Sequence, residues 1–104
     1  MNNIKEIKLS NNDFIVNTDT SSLKLRYKNE ENRYVIDISH MNIINATKTA
    51  IFCSTYCFLN NFSKKLCWVV GDEEIKRAIS ILRLKNVEQL VKQTPQEERK
   101  SLVS

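Results

Sequence analysis

Glycine, proline, histidine and tryptophan occur once each in the 104 residues. One glycine, Gly71, leaves no room for a glycine-rich phosphate loop or a Gly-x-Ser-x-Gly nucleophile elbow, both of which need several backbone positions free of a Cβ. One histidine, His40, leaves a single candidate base for a Ser-His-Asp or Cys-His relay. Its neighbour Ser39 is adjacent only in the chain, which does not supply relay geometry. The scarcity of Gly and Pro also argues against long flexible linkers. No apolar run approaches the roughly 20 residues that span a bilayer, so membrane insertion is not expected. The three cysteines are odd in number, sit in apolar surroundings and follow no disulfide-framework spacing, which points to free thiols in a reducing compartment. The opening Met1-Asn2-Asn3-Ile4-Lys5-Glu6 lacks the charged-then-apolar layout of a signal peptide, so the expected location is the cytoplasm.

What the chain does have is the composition of one ordinary globular domain. Hydrophobic residues make up 41% and charged residues 27%, enough for one modest core. The domain is read over residues 1–92 and a polar tail over 93–104. The net charge is +4, yet Lys and Arg are scattered among Glu, and the Lys64-Lys65 pair falls in a loop position. With no aromatic-and-basic motif behind it, this charge does not predict nucleic-acid binding.

Element types alternate along the chain. Lys5-Glu6-Ile7-Lys8-Leu9 alternates polar and apolar, Asn11-Asn12-Asp13 is turn chemistry, and Phe14-Ile15-Val16 follows, which together predict a hairpin. Residues 19–31 read two ways. Asp19, Thr20, Ser21 and Ser22 are N-cap types, with Leu23 and Tyr27 four apart, but Leu23, Leu25 and Tyr27 also alternate with Lys24, Arg26 and Lys28 at strand period. A helix is preferred there, since it would serve as a crossover between strands. Tyr34 to Ser39 reads as a buried central strand with Asp37 embedded in it. Asn45 to Asn60 is long enough for a helix. Its apolar stripe is read as Ile51, Thr55, Phe58 and Leu59, widened by Ala50 and Phe52. Leu66 to Val70 is a continuous apolar strand containing Cys67 and Trp68. Asp72 caps a helix carrying Ile75, Ala78, Ile79 and Leu82 at i, i+3, i+4 and i+7, with Glu73 and Glu74 at the positive end of its dipole. Val87 to Val91 is a final short strand or turn. Strand, helix, strand, helix from Tyr34 onward implies parallel pairing. The expected fold is thus α/β: a mixed sheet of four to five strands with helices packed mainly on one face.

No catalytic constellation emerges, and no cofactor or metal is predicted. Cys53 and Cys57 lie one helical turn apart but lack a second ligand pair, so they read as buried apolar side chains. Asp37 reads as a loop-anchoring acceptor near a strand end, and Ser39 as a side chain that satisfies backbone groups.

One stretch is more specific. Val35-Ile36-Asp37-Ile38-Ser39-His40-Met41-Asn42-Ile43-Ile44-Asn45-Ala46-Thr47-Lys48 resembles STAS domains of the anti-sigma factor antagonist type. That family has an apolar-Asp-apolar-Ser strand, a loop such as His-Met, two apolar positions, and Asp-Ser-Ser-Gly opening a helix. Asp37, Ser39, His40, Met41, Ile43 and Ile44 match. The likeness extends through Trp68-Val69-Val70, Ile75 to Ala78, and Leu82 to Val87. The departures fall on the functional motif, where this chain has Asn45-Ala46-Thr47-Lys48. The family's phosphorylated serine aligns with Thr47, while the preceding Asp is Asn45 and the Gly is Lys48.

The resemblance implies a non-enzymatic regulatory module that binds an anti-sigma factor, a serine-kinase-like protein or a signalling assembly. Its partner-binding residues would be Asp37, Ser39, His40 and Met41 together with Asn45, Ala46, Thr47 and Lys48. Thr47 is the phosphoacceptor candidate. In the first turn of a helix, free backbone N–H groups and the dipole would welcome a phosphate there. The alternative is a structural or assembly protein that keeps the fold without a phosphoswitch, paired as a homodimer through exposed helix faces.

Overall fold

The computed structural model describes residues 4–92; the expected polar tail, 93–104, lies outside the described residues. The elements are β1 (Ile4–Ser10), β2 (Asp13–Thr18), β3 (Ser22–Asn29), β4 (Arg33–Asp37), α1 (Ile43–Leu59), β5 (Lys65–Val70), α2 (Glu73–Ile81) and β6 (Val87–Val91). They form an α/β domain with one mixed six-stranded sheet in the order β1-β2-β3-β4-β5-β6. The first four strands are an antiparallel meander, and β4, β5 and β6 run parallel. The sheet therefore has more strands than the four to five expected.

The additional strand is β3, where a helix was preferred. Leu25 is buried and Leu23 and Tyr27 are half-buried, while Lys24, Arg26 and Lys28 are exposed, so strand period describes the segment. The preference for a crossover fails because β2, β3 and β4 are antiparallel neighbours, and antiparallel neighbours need only a tight turn. The residues that looked like a helix cap supply that turn instead. Thr18 Oγ1 accepts from the Ser21 N–H at 3.0 Å, and the Thr18 N–H donates to the Ser21 carbonyl at 2.8 Å. The same short hydroxyl side chains serve caps and turns, which is why local chemistry alone did not decide.

Both helices pack on one face of the sheet. Helix α1 lies against β1 and β5, α2 against β5 and β6, and the two helices against each other. The sheet curls toward them. Phe14 on β2 and Trp68 on β5 are three strands apart, about 14 Å at ordinary strand spacing. Their ring centroids nevertheless stand 6.1 Å apart, edge to face. Tyr27 packs on Phe14 and Tyr34 on Tyr27 in the same edge-on manner. Trp68 is fully buried, and its indole N–H donates to Ser54 Oγ on α1 at 3.0 Å.

The buried face of α1 differs in part from the expected one: of the expected stripe Ala50 is buried and Ile51 and Phe52 are half-buried. Ala46, Thr49, Ala50, Cys53, Ser54 and Cys57 face the core. Thr55 is exposed, and Phe58 and Leu59 are 58% and 70% exposed. The large residues of the expected stripe are displaced because the helix rests directly on the Trp68 layer, where only small side chains fit beneath it. Helix α2 buries Ile75 and Ile79 as expected, and Asp72 accepts from the Ile75 N–H at 2.9 Å. It stops at Ile81, before Leu82, with Arg83 in the left-handed region at φ 51°. Lys64, read as a solvated loop residue, is half-buried, donates to the Glu30 carbonyl at 2.8 Å and stands over the Tyr34 ring.

Because β3 is a core strand, Leu25→Ala should cost about 2–5 kcal/mol of unfolding free energy, against nearly nothing for Lys24→Ala. Urea unfolding of the two variants measures the difference; equal, small losses would contradict the placement of Leu25.

Candidate functional site

The expected site grows from the C-terminal end of β4. Asp37 is the last residue of that strand. Its Oδ1 accepts from the Ser39 N–H at 2.9 Å and from Ser39 Oγ at 2.6 Å. Lys92 Nζ stands 3.6 Å from the other carboxylate oxygen. Partial burial of Asp37 opposes its ionisation, but the two Ser39 hydrogen bonds, with Lys92 and His40 nearby, outweigh it and hold the carboxyl below its ordinary value of 3.8. The pair closes the first turn of the loop. The Ile38 N–H continues the pairing to the Val69 carbonyl at 2.9 Å, and the Met41 N–H returns to the Ile38 carbonyl at 3.0 Å.

The neighbouring β5–α2 loop presses on this turn. A Cβ on Gly71 would stand 2.7 Å from the Ser39 carbonyl oxygen, so glycine is required there by close approach. The single glycine of the chain thus fixes the seating of the Ser39 loop.

Helix α1 begins two residues earlier than expected. Asn42 is its N-cap and accepts from the Asn45 N–H at 2.8 Å. Ile43 and Ile44, read as positions before the helix, are its first two residues. Thr47 accordingly lies in the second turn, beyond the free N–H groups of the first. It is half-buried, and its hydroxyl donates to the Ile43 carbonyl at 2.6 Å. The expected arrangement of a phosphate on unpaired first-turn N–H groups is therefore not available at Thr47.

Helical geometry also splits the motif. Residues two apart on a helix point about 200° from one another, so Asn45 and Thr47 face different flanks. Ala46 is fully buried in the core. On one flank His40, Met41, Asn45 and Lys48 join Leu23 and Thr49 around an open depression of about 470 Å³. Met41 packs against the core, and Thr49 Oγ1 donates to its sulfur at 3.5 Å. His40 and Lys48 are exposed, and Lys48 makes no ion pair among the described residues. Of the eight expected partner-binding residues, the structure brings these four together. Asp37 and Ser39 shape the loop, Ala46 is core, and Thr47 lies outside the depression.

The remaining chemistry is quiet. Burial pushes the Cys57 thiol up to about 12 and raises Cys53 and Cys67 as well. Such thiols are poor nucleophiles. Among the described residues, no three His, Cys, Asp or Glu side chains are grouped to hold a metal ion. No helix there is long and apolar enough to cross a membrane.

Two features were not read from the sequence. The sheet face away from the helices carries a wide depression of about 800 Å³ floored by Val35, Val69 and Leu90. The outer face of α1 exposes Ile44, Phe58 and Leu59. The first depends on strand order, which local patterns do not reveal. The second was visible as a stripe but assigned to the core. No family model, curated protein or solved structure matches the chain.

Two outcomes follow. Gly71→Ala should lower stability by about 1–3 kcal/mol, because backbone rather than a movable side chain blocks the new methyl group. Thermal unfolding measures it. A depressed Asp37 pKa contributes stability that is present above the ordinary carboxylate value and is lost as pH falls toward the folded value. Asp37→Asn should therefore flatten the acid limb of the stability–pH profile; an unchanged acid limb would contradict the depressed value.

Proposed function

We propose that the chain is a non-enzymatic, STAS-like protein-interaction module whose partner docks on the depression beside the start of α1. The observation that carries this reading is the convergence of His40, Met41, Asn45 and Lys48 on one open hollow, with an exposed cation at its edge. An imidazole, an amide and an ammonium group over an apolar floor of Leu23 and Met41 suit a segment presenting a carboxylate beside an apolar side chain. Hydrogen bonds and the Lys48 charge would set orientation, and the floor would add contact area.

The non-catalytic reading is supported by burial that raises all three thiols and by the Ser39 hydroxyl, next to the single histidine in the chain, donating to Asp37. The STAS-like reading is supported by the order β4-α1-β5-α2-β6 and by the Asp37–Ser39 turn that leads into α1. The partner class that the resemblance implies is an anti-sigma factor or serine-kinase-like protein. In this reading Thr47 acts through its flank of α1. A phosphoryl group there would remove the hydrogen bond to Ile43 and place about −1.5 to −2 charge on the flank of α1 away from the depression, where it would act on a partner that reaches across the helix.

The test is capture from lysate of the source cells on the full chain, with wild type, Lys48→Glu and Thr47→Glu as baits and mass spectrometry of bound proteins and of Thr47. A partner held by wild type and reduced about tenfold or more by Lys48→Glu is the expected result. Release by Thr47→Glu, with phosphate found on Thr47, would add the switch. Equal capture by wild type and Lys48→Glu would remove the depression as the docking site.

A further inference from the structure

Helix α1 carries large apolar side chains on the face opposite its buried one. The inner face is made of Ala46, Ala50, Cys53 and Cys57, all fully buried. Directly opposite, at about 100° per residue, lie Ile44, Lys48, Ile51, Thr55 and Phe58. Their spacing of i, i+4, i+7, i+11, i+14 is the heptad spacing of a helix–helix seam. Ile44 is 62% and Phe58 58% exposed, Leu59 beside Phe58 is 70% exposed, and Ile51 between them is half-buried. Large apolar side chains grouped on an exposed face mark a surface that another surface covers. Here the described residues cover only one face of α1.

We propose that a second copy of this chain covers the outer face of α1, the two helices packing antiparallel about a two-fold axis near Ile51. The stripe itself identifies the occupant. Ile44 and Phe58 are each seven residues from Ile51, so a two-fold axis at the centre sets Ile44 of one copy toward Phe58 of the other and Ile51 against its equivalent. That is the self-complementarity an isologous interface requires. Charge selects the direction. Lys48 is the one charged residue in the stripe; a parallel pair would set the two Lys48 side chains together, whereas an antiparallel pair staggers them and lays each stem near the other copy's Thr55.

The area is sufficient for a modest dimer. With large apolar side chains offering on the order of 200 Å² each, Ile44, Phe58 and Leu59 expose about 350 Å² per copy along the stripe. Two copies, with Ile51, Thr55 and the Lys48 stem added, approach the ~1,000 Å² lower bound for a specific interface. The pair is thus expected to be concentration-dependent. Lys48 belongs both to the stripe and to the hollow that His40, Met41 and Asn45 line, so the two readings share this side chain; Phe58, which lies outside the hollow, separates them.

The test is sedimentation equilibrium of the full chain across a concentration series, with Phe58→Glu as the disrupting variant and circular dichroism confirming its fold. Wild type should rise from the mass of one chain toward two, and Phe58→Glu should weaken association about tenfold or more. Orientation is read by oxidative cross-linking. Ile51→Cys should form an intermolecular disulfide, whereas Ile44→Cys should not, because an antiparallel pair holds the two copies of residue 44 about 21 Å apart along the axis. The native cysteines are buried and supply little background. A chain that stays monomeric throughout, association unaffected by Phe58→Glu, or cross-linking of Ile44→Cys as readily as Ile51→Cys would overturn the proposal. The first of these results would leave the face to a different protein.

Discussion

The seat of α1 on Trp68 is the constraint from which the rest of this structure follows. The indole fills the concave side of the curled sheet, touches Phe14 edge-on, and spends its one polar hydrogen on Ser54 of the helix above it. A helix placed directly over so large a side chain can bury only small ones. Ala46, Ala50, Cys53 and Cys57 meet that requirement, and all are fully buried. The larger residues of the same helix are then left outside by geometry. Close packing of this kind tolerates little volume change, so the two faces of α1 are coupled: the tighter the inner face, the fewer ways the outer one can turn inward.

The topology directs attention to the same helix. In open α/β sheets, ligands commonly occupy the crevice where strand order reverses and helices switch faces. Here β4, β5 and β6 follow one another in order, with both helices on one face, so the described residues form no such crevice. What remains at the C-terminal ends of β4 and β5 is a loop held by short-range contacts. Asp37 grips Ser39, and Gly71 allows the next loop to lie against the Ser39 carbonyl. This arrangement anchors the loop that leads into α1.

Much of the framework was legible in the sequence. The β1–β2 hairpin and α2 carry one dominant period and β4 and β5 are continuous apolar runs, and the structure places all of them close to where those patterns predict. Residues 19–31 were ambiguous because hydroxyl side chains that cap helices also close turns, and the deciding interaction, pairing with β2 and β4, is not local. The burial of α1 was misread for a different reason. Hydropathy ranks Ile, Phe and Leu above Ala, Cys, Ser and Thr, and so it favoured the wrong face; only the size of Trp68 explains the reversal. At the site, the composition of the 39–48 segment was readable, but its division was not. The N-cap at Asn42 shifts the helix frame by two residues and separates Thr47 from Asn45 and Lys48.

The central claim, that α1 works as a binding element through its outer surface, is tested most directly by hydroxyl-radical footprinting of the full chain in dilute and concentrated solution. The account predicts that Ile51, Phe58 and Leu59 lose reactivity on concentration, while Ile15, Val35 and Leu90 on the open sheet face keep theirs. Unchanged reactivity along α1, or protection on the sheet face instead, would contradict it.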